Sequence, residues 1–215
     1  MQHLYRNNFR IVLSSLILLV ITVLVSSYLV NFKSVKTKAD DQSVFVTATT
    51  ASGITFSVTN GDSVPFGTVI PGNPQSSPVG GTVLSVTTNA ANGYTIGVSD
   101  GKTGGNSCLV SSGNYIADYT GTIGTPTTWS GTGLGVTLFA ADTTKEAKWG
   151  TGSAYDDSNN KYAGIPQNST IAHTVTGYRA TPDTSSWAFK IEIPQAQAIG
   201  TYTGSVTFTA TAVLS

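Results

Sequence analysis

Few residues in this chain are able to do chemistry, and their spacing limits what the protein does. Beyond His3, the one histidine is His173, inside Ile171-Ala172-His173-Thr174-Val175, and the one cysteine is Cys108. Nucleophilic hydrolysis needs a Ser or Cys beside a His base and an orienting acid. The chain carries no Gly-x-Ser-x-Gly elbow and no paired histidines of the metal-binding type. A glycosidase needs two carboxylates across a cleft. The only glutamates are Glu146 and Glu192, and Glu192 falls on the polar face of an alternating segment. These features argue against an enzyme and imply no cofactor. A single cysteine makes neither an intrachain disulfide nor a cysteine zinc cluster, and Cys108 reads as a small residue in or near a core.

Two further groups bear on binding. The tract Asp156-Asp157-Ser158-Asn159-Asn160 concentrates oxygen donors that suit a hard cation such as Ca²⁺, with Asp156, Asp157 and Asn159 as the candidate ligands. Its spacing is not that of an EF-hand loop, so a solvated hairpin tip is the favoured reading and no tight metal site is expected. Trp129, Trp149, Tyr155 and Tyr162 lie in a glycine-rich middle region. Aromatic rings on loops stack on sugars, and equally they plug loops onto a protein body. The second reading is favoured, and glycan binding stays open.

The elements that must position these residues are strands. Alternation of period two is plain in Trp187-Ala188-Phe189-Lys190-Ile191-Glu192-Ile193, in Ile54–Val58, in Tyr94–Val98 and in Val206–Ala210. Further candidates are Val44–Ala48, Val83–Thr87, Val136–Phe139 and Ile171–Val175. Asn60-Gly61, Pro71-Gly72-Asn73-Pro74, Gly80-Gly81, Asn92-Gly93, Asp100-Gly101 and Ser112-Gly113-Asn114 punctuate these runs with turn chemistry. After Ala39 no amphipathic helical run exceeds one turn. The expected fold is all-β: a single antiparallel β-sandwich of immunoglobulin-like or jelly-roll type over residues 40–215. Strands cluster in 43–99 and 170–212, and 100–168 reads as a loop-rich insertion with a few short strands.

Charge and the N-terminus set the compartment. Charged residues make up only 10% of the chain, well below the usual quarter. Residues 1–39 hold Arg6, Arg10, Lys33, Lys36 and Lys38 and no acid, whereas everything after Ala39 holds all eleven acids and six Lys/Arg. A mildly acidic body without a basic stripe argues against nucleic-acid binding. Ile11–Val30 is twenty residues without a charge, about 30 Å as a helix, the thickness of a bilayer's hydrocarbon core. Residues 1–39 are therefore expected to be a cleaved signal peptide, cut before Asp40, or an uncleaved signal-anchor helix that holds the chain in the membrane. Either exports the body to the cell surface or the medium.

The end of the chain carries a resemblance. Ile193-Pro194, then Ala198-Ile199-Gly200-Thr201-Tyr202-Thr203-Gly204-Ser205-Val206-Thr207-Phe208-Thr209-Ala210, together with Asn92-Gly93-Tyr94-Thr95-Ile96-Gly97-Val98, resembles strands of bacterial surface sandwiches, the WxL-domain wall-associated proteins and, more loosely, spore-coat-U-like, pilin-type domains. The family's Trp-x-Leu signatures are replaced here by Tyr94-Thr95-Ile96 and Phe208-Thr209-Ala210. The resemblance implies a bacterial cell-surface protein without a defined activity. The expected function is that of a non-catalytic structural or adhesive surface protein, pilin-like or an envelope-layer subunit. The alternative is a cell-wall or glycan-binding module. The partners that follow are the membrane through Ile11–Val30, other copies of the chain, or wall polysaccharide. Residues 40–51, Asp-Asp-Gln-Ser-Val-Phe-Val-Thr-Ala-Thr-Thr-Ala, read as a strand that pairs within its own domain or is exchanged between subunits.

Overall fold

A computed structural model of the chain describes residues 13–24, 47, 50–77 and 80–214. It divides into two compact units, Met1–Ala48 and Thr49–Ser215. In the first, residues 13–24 form an α-helix in which the Thr22 hydroxyl bonds back to the carbonyls of Leu18 and Leu19, the device that lets hydroxyl residues sit in an apolar helix. Among the described residues no helix is long and apolar enough to cross a membrane. The flanks of Ile11–Val30, the proposed cleavage region and most of Val44–Ala48 lie outside the described residues.

The second unit is all-β. Its strands are β1 (Ile54–Asn60), β2 (Gln75–Ser76), β3 (Thr82–Thr88), β4 (Tyr94–Ser99), β5 (Asn106–Ser111), β6 (Asn114–Ala117), β7 (Thr127–Thr128), β8 (Gly133–Ala141), β9 (Lys161–Tyr162), β10 (Thr170–Val175), β11 (Arg179–Glu192) and β12 (Thr207–Ala212). A five-stranded sheet runs β1-β3-β11, with β2 and β8 also paired to β11. A three-stranded sheet runs β10-β4-β12, and β5-β6 and β7-β9 form two small ladders. Every strand pair is antiparallel.

Alternation decides which side chains enter the space between the sheets. In the large sheet Trp187, Phe189 and Ile191 pair with Leu138, Val136 and Leu134, so all six share one face. Tyr94, Ile96 and Val98 of β4 meet them from the small sheet, with Leu84 and Val86 of β3 alongside. Trp187 is fully buried, edge-on to Trp149 at 5.8 Å between ring centroids and tilted against Phe208 at 5.2 Å. Between β5 and β6, Ser112 and Gly113 both have positive φ (47° and 82°), the geometry of a two-residue type I′ hairpin.

The structure departs from the sequence reading in three places. β11 begins at Arg179 rather than Trp187, and it passes through Pro182 because a register irregularity between Arg179 and Asp183 takes up the proline. The final strand starts at Thr207, so the residues before Val206 in the C-terminal segment that carries the resemblance lie outside it. Residues before it lie across β5, with Thr203 bridged to Val110 and Gly204 so close to the Cys108 carbonyl that a Cβ would collide. The stretch 100–168 is no peripheral insertion. It contains nine-residue β8 and gives Ile116, Ile123, Trp149, Ala163 and Ile165 to the core.

Trp149 shows what that contribution is worth. It ends a single 3-10 turn, Ala147–Trp149, is fully buried, and donates its indole N–H to the Ala172 carbonyl of β10 at 3.1 Å. Trp149→Ala removes a large core group and strands that carbonyl. Urea denaturation is expected to show a loss of about 3–5 kcal/mol.

Candidate functional site

The most elaborate side-chain cluster lies on the outer face of the large sheet. Because Trp187, Phe189 and Ile191 point inward, Ala188, Lys190 and Glu192 must point outward. Sequence alone places that face in solvent. In the structure Ala188 is fully buried and Lys190 and Glu192 are half-buried. The cover is Trp129. Gly135, opposite Lys190 in the β8–β11 ladder, leaves the space for it: a Cβ there would lie 3.0 Å from Trp129 Cζ3. Trp129 donates its indole N–H to Glu192 Oε2 at 3.0 Å and stacks on Tyr119, 4.3 Å between centroids and 9° between planes. It also meets Tyr162 edge-on at 5.3 Å. The Lys190 ammonium sits 5.5 Å from the centres of both Trp129 and Tyr162. Burial lowers its pKa from the usual lysine range, with the Glu192 carboxylate opposing that shift. Tyr119 in turn donates its hydroxyl to the Thr128 carbonyl at 2.7 Å and accepts from Ser130 N–H at 3.1 Å.

This cluster is a built lid on the sheet. Of the four aromatic residues weighed as sugar platforms or loop plugs, Trp149 and Tyr162 are buried, and Trp129 gives one face to Tyr119 and has Lys190 over its ring. Tyr155 alone stands apart, half-buried. The structure brings Trp129 and Tyr162 together and leaves Trp149 and Tyr155 elsewhere. Tyr119 and Lys190 went unremarked in the sequence. The available signal was the pair of glycines Gly133 and Gly135 in an otherwise apolar strand, which marks close approach of another group.

The acidic tract is a loop that binds itself. Asp157 Oδ1 accepts from the N–H of Asn159 at 2.9 Å and from its side-chain amide at 3.1 Å, and Oδ2 accepts from Ser153 N–H at 3.2 Å. Those backbone hydrogen bonds hold Asp157 below the usual carboxylate range. Among the described residues no three His, Cys, Asp or Glu side chains converge in a way that would hold a metal ion.

His173 and Glu146 do come together. His173 is buried, and its Nδ1 lies 2.7 Å from Glu146 Oε2, while Glu146 Oε1 accepts from Thr174 N–H, also at 2.7 Å. Burial would raise the Glu146 pKa, but its bond and charge interaction with His173, with the Thr174 N–H, bring it below the ordinary value. The other ring nitrogen, Nε2, is buried without a hydrogen-bond partner. A general base needs a substrate proton within reach. Here the reactive nitrogen faces protein, and the pair clamps the 143–150 loop to β10.

Asp100 and Asp118 form the other electrostatic feature. Burial, and then the nearby Asp100 charge, push the Asp118 carboxyl up to about 6, against the Ile165 N–H bond that favours its charged form. Cys108, buried nearby and pushed up to about 11 mainly by burial, is inert as a nucleophile at neutral pH. No family model matches this chain, and no curated protein is similar to it.

Two outcomes follow. Asp118 titrates at a higher pH folded than unfolded, so between about pH 4 and 6 the folded state holds the extra proton and stability falls as pH rises. Asp118→Asn is therefore expected to raise unfolding free energy by roughly 1–2 kcal/mol at pH 8 and to change it little at pH 4, read from urea melts at both. Glu146→Ala leaves Thr174 N–H and His173 Nδ1 without their acceptor, and should cost about 2–3 kcal/mol in the same measurement at pH 7.

Proposed function

We propose that this chain is a non-catalytic bacterial cell-surface protein with a structural or adhesive role, a pilin-like or envelope-layer subunit exported by its N-terminal segment. One observation carries the reading: the body is strung from one end and presents the other. The chain enters β1 beside Asn89, which accepts from Gly53 N–H and donates to the Ala51 carbonyl. It leaves β12 beside Gly93 and Asn92, through Val213 N–H to the Gly93 carbonyl and the Asn92 amide to the Leu214 carbonyl. Both crossings lie at the same end of the sandwich.

The opposite end is made of loops 66–74 and 194–206. They are tied together by Gly72 N–H to the Ile193 carbonyl at 3.0 Å and by the Gln195 amide to the Pro71 carbonyl at 3.3 Å. Gln197 reaches from there to the Tyr115 carbonyl. Neither loop contains a charged residue. These loops expose Ile70 (57%) and the whole of Ile199, and Tyr115 (40%) is exposed on β6, whose backbone Gln197 reaches. Large apolar residues exposed on uncharged loops at this end offer a contact surface. The side chains of catalytic type support the same reading, since Glu146, His173 and Cys108 are occupied in holding the body together.

Ile199→Cys gives a thiol at the far end, while buried Cys108 serves as an internal negative control. On intact cells, a membrane-impermeant maleimide is expected to label the Ile199→Cys chain and leave the unsubstituted chain unlabelled. Labelling that appears only after lysis would remove the surface assignment.

A further inference from the structure

Sheet edges are treated unequally in this molecule. On the side of β10 and β8 each edge is capped over part of its length. The outward N–H of Thr174 and carbonyl of Ala172 on β10 are taken by Glu146 and by the Trp149 indole. The outer edge of β8 exchanges both hydrogen bonds between Val136 and Ala163, at 2.8 and 2.9 Å, and its Leu134 carbonyl accepts from Tyr119 N–H at 2.9 Å. The other side has β1 as the edge of the large sheet and β12 as the edge of the small one, close to each other across the sandwich.

Among the described residues no strand pairs with either free edge, and the one irregularity is the register shift of β1 between Val58 and Asn60. Neither Ile54–Asn60 nor Thr207–Ala212 contains a charged residue or a proline, and β12 keeps unbroken register with β4 from Thr207 to Ala212. Edge strands are normally protected by lysines, prolines, bulges or cover, because their free N–H and C=O groups template pairing with another chain. Between the two edges the core is also open. Phe208 and Ala210, in register with Val98 and Ile96 and so facing inward, are only half-buried. Phe56 opposite is half-buried too, flanked by Ile54 at 37% and Val58 at 45% exposure. The seam is about 20 Å long at the rise of a strand.

We infer that the β1/β12 side binds a second copy of this chain, β12 pairing antiparallel with β12 of that copy so that the three-stranded sheet becomes six-stranded. The occupant follows from the edge itself. A two-fold axis perpendicular to a sheet pairs an edge strand with its own copy only in the antiparallel sense. An edge without charge brings no like charges together when it does so. The same operation lays the open apolar seam of one copy along that of the other and covers Phe208, Phe56, Ile54 and Val58 from both sides. The inference rests on the reading of the chain as a structural subunit, for which it names partner and contact.

The test uses the full chain in detergent, its buried Cys108 retained, with one added cysteine at a time on the exposed outer face of β12, Thr207→Cys, Thr209→Cys or Thr211→Cys. Thr170→Cys on β10 is the control. Mild oxidation is expected to give a covalent dimer with at least one β12 variant and none with Thr170→Cys. The double variant Thr209→Lys/Thr211→Lys, whose changes are exposed and leave the core intact, should raise the dimer dissociation constant about tenfold or more by sedimentation. A strictly monomeric parent chain would overturn the inference, as would cross-linking confined to Thr170→Cys. In a Val46→Cys/Thr209→Cys chain, a bond between those two thiols in place of the dimer would overturn it as well, by showing that residues near 46 fill the edge. None of these results bears on labelling at Ile199→Cys, so surface location and self-pairing stand or fall separately.

Discussion

The fold depends on β11 being covered on both faces along its C-terminal half. Fourteen residues long, it pairs with β3 along its first half and with β8 along its second, and from Asp183 onward none of its residues is fully exposed. Trp187, Phe189 and Ile191 fill the space between the sheets, a term worth about 2–3 kcal/mol for each large side chain. The outward residues Ala188, Lys190 and Glu192 would leave a bare sheet face if Trp129, with Tyr119 and Tyr162 packed on it, did not lie there. Trp129 satisfies Glu192 and covers Lys190 at once. The middle of the sequence is thus conscripted as a third layer, which explains why a stretch so rich in Gly, Ser and Asn is nonetheless ordered by tight contacts such as Gly164 against the Tyr119 carbonyl.

A second constraint is the shortage of charge. With few ionisable groups available, several of them sit inside. Asp183, on the inward face of β11 between Ser185 and Arg179, is 4% exposed. It is held by the Tyr94 hydroxyl at 3.0 Å and by Arg179 at 3.3 Å. Tyr94 is raised well above its normal range, chiefly by burial and then by the Asp183 charge, so it remains a hydrogen-bond donor. A buried carboxylate tolerates this position only because the Tyr94 and Thr143 hydroxyls donate to it and the Arg179 charge lies beside it. The network closes one end of the core where β3, β4 and β11 come together, near the points at which the chain enters and leaves.

Much of this was legible in the residues. Alternation found β1, β3, β4, β10, the C-terminal half of β11 and most of β12, because in each of these the apolar side chains gather on the inward face and polar ones on the other. It failed on Arg179–Ser186, where the inward positions are Asp183 and Ser185: an inward polar residue erases the pattern while a specific partner, Tyr94, supplies the stability. Pattern also put Lys190 and Glu192 in water, since period two says which residues share a face and not what covers that face. The aromatic residues of the middle region were visible as a group, yet their role was decided by non-local geometry. Trp149 reaches β10 and Trp129 reaches β11 across separations of 23 and 63 residues, and no local spacing encodes such contacts. The Glu146–His173 pair was hidden for the same reason.

Edge management ties these observations together. Trp149 spends its indole N–H, and Glu146 one carboxylate oxygen, on the backbone of β10, while the other Glu146 oxygen meets the His173 ring. Tyr119 and Ala163 do the same for β8 through their own backbones. A chain that merely lacked the means to protect edges would leave all four exposed. This one invests a buried indole, a carboxylate and a long excursion of chain in closing one flank. On the other flank, among the described residues, it leaves the regular β12 and β1, with its one register shift, both carrying threonine, whose branched hydroxyl side chain suits a solvated strand face without obstructing backbone pairing. The contrast between flanks lies within one domain and one composition, so general poverty of charge does not account for it. It is the expected signature of a surface kept open for pairing.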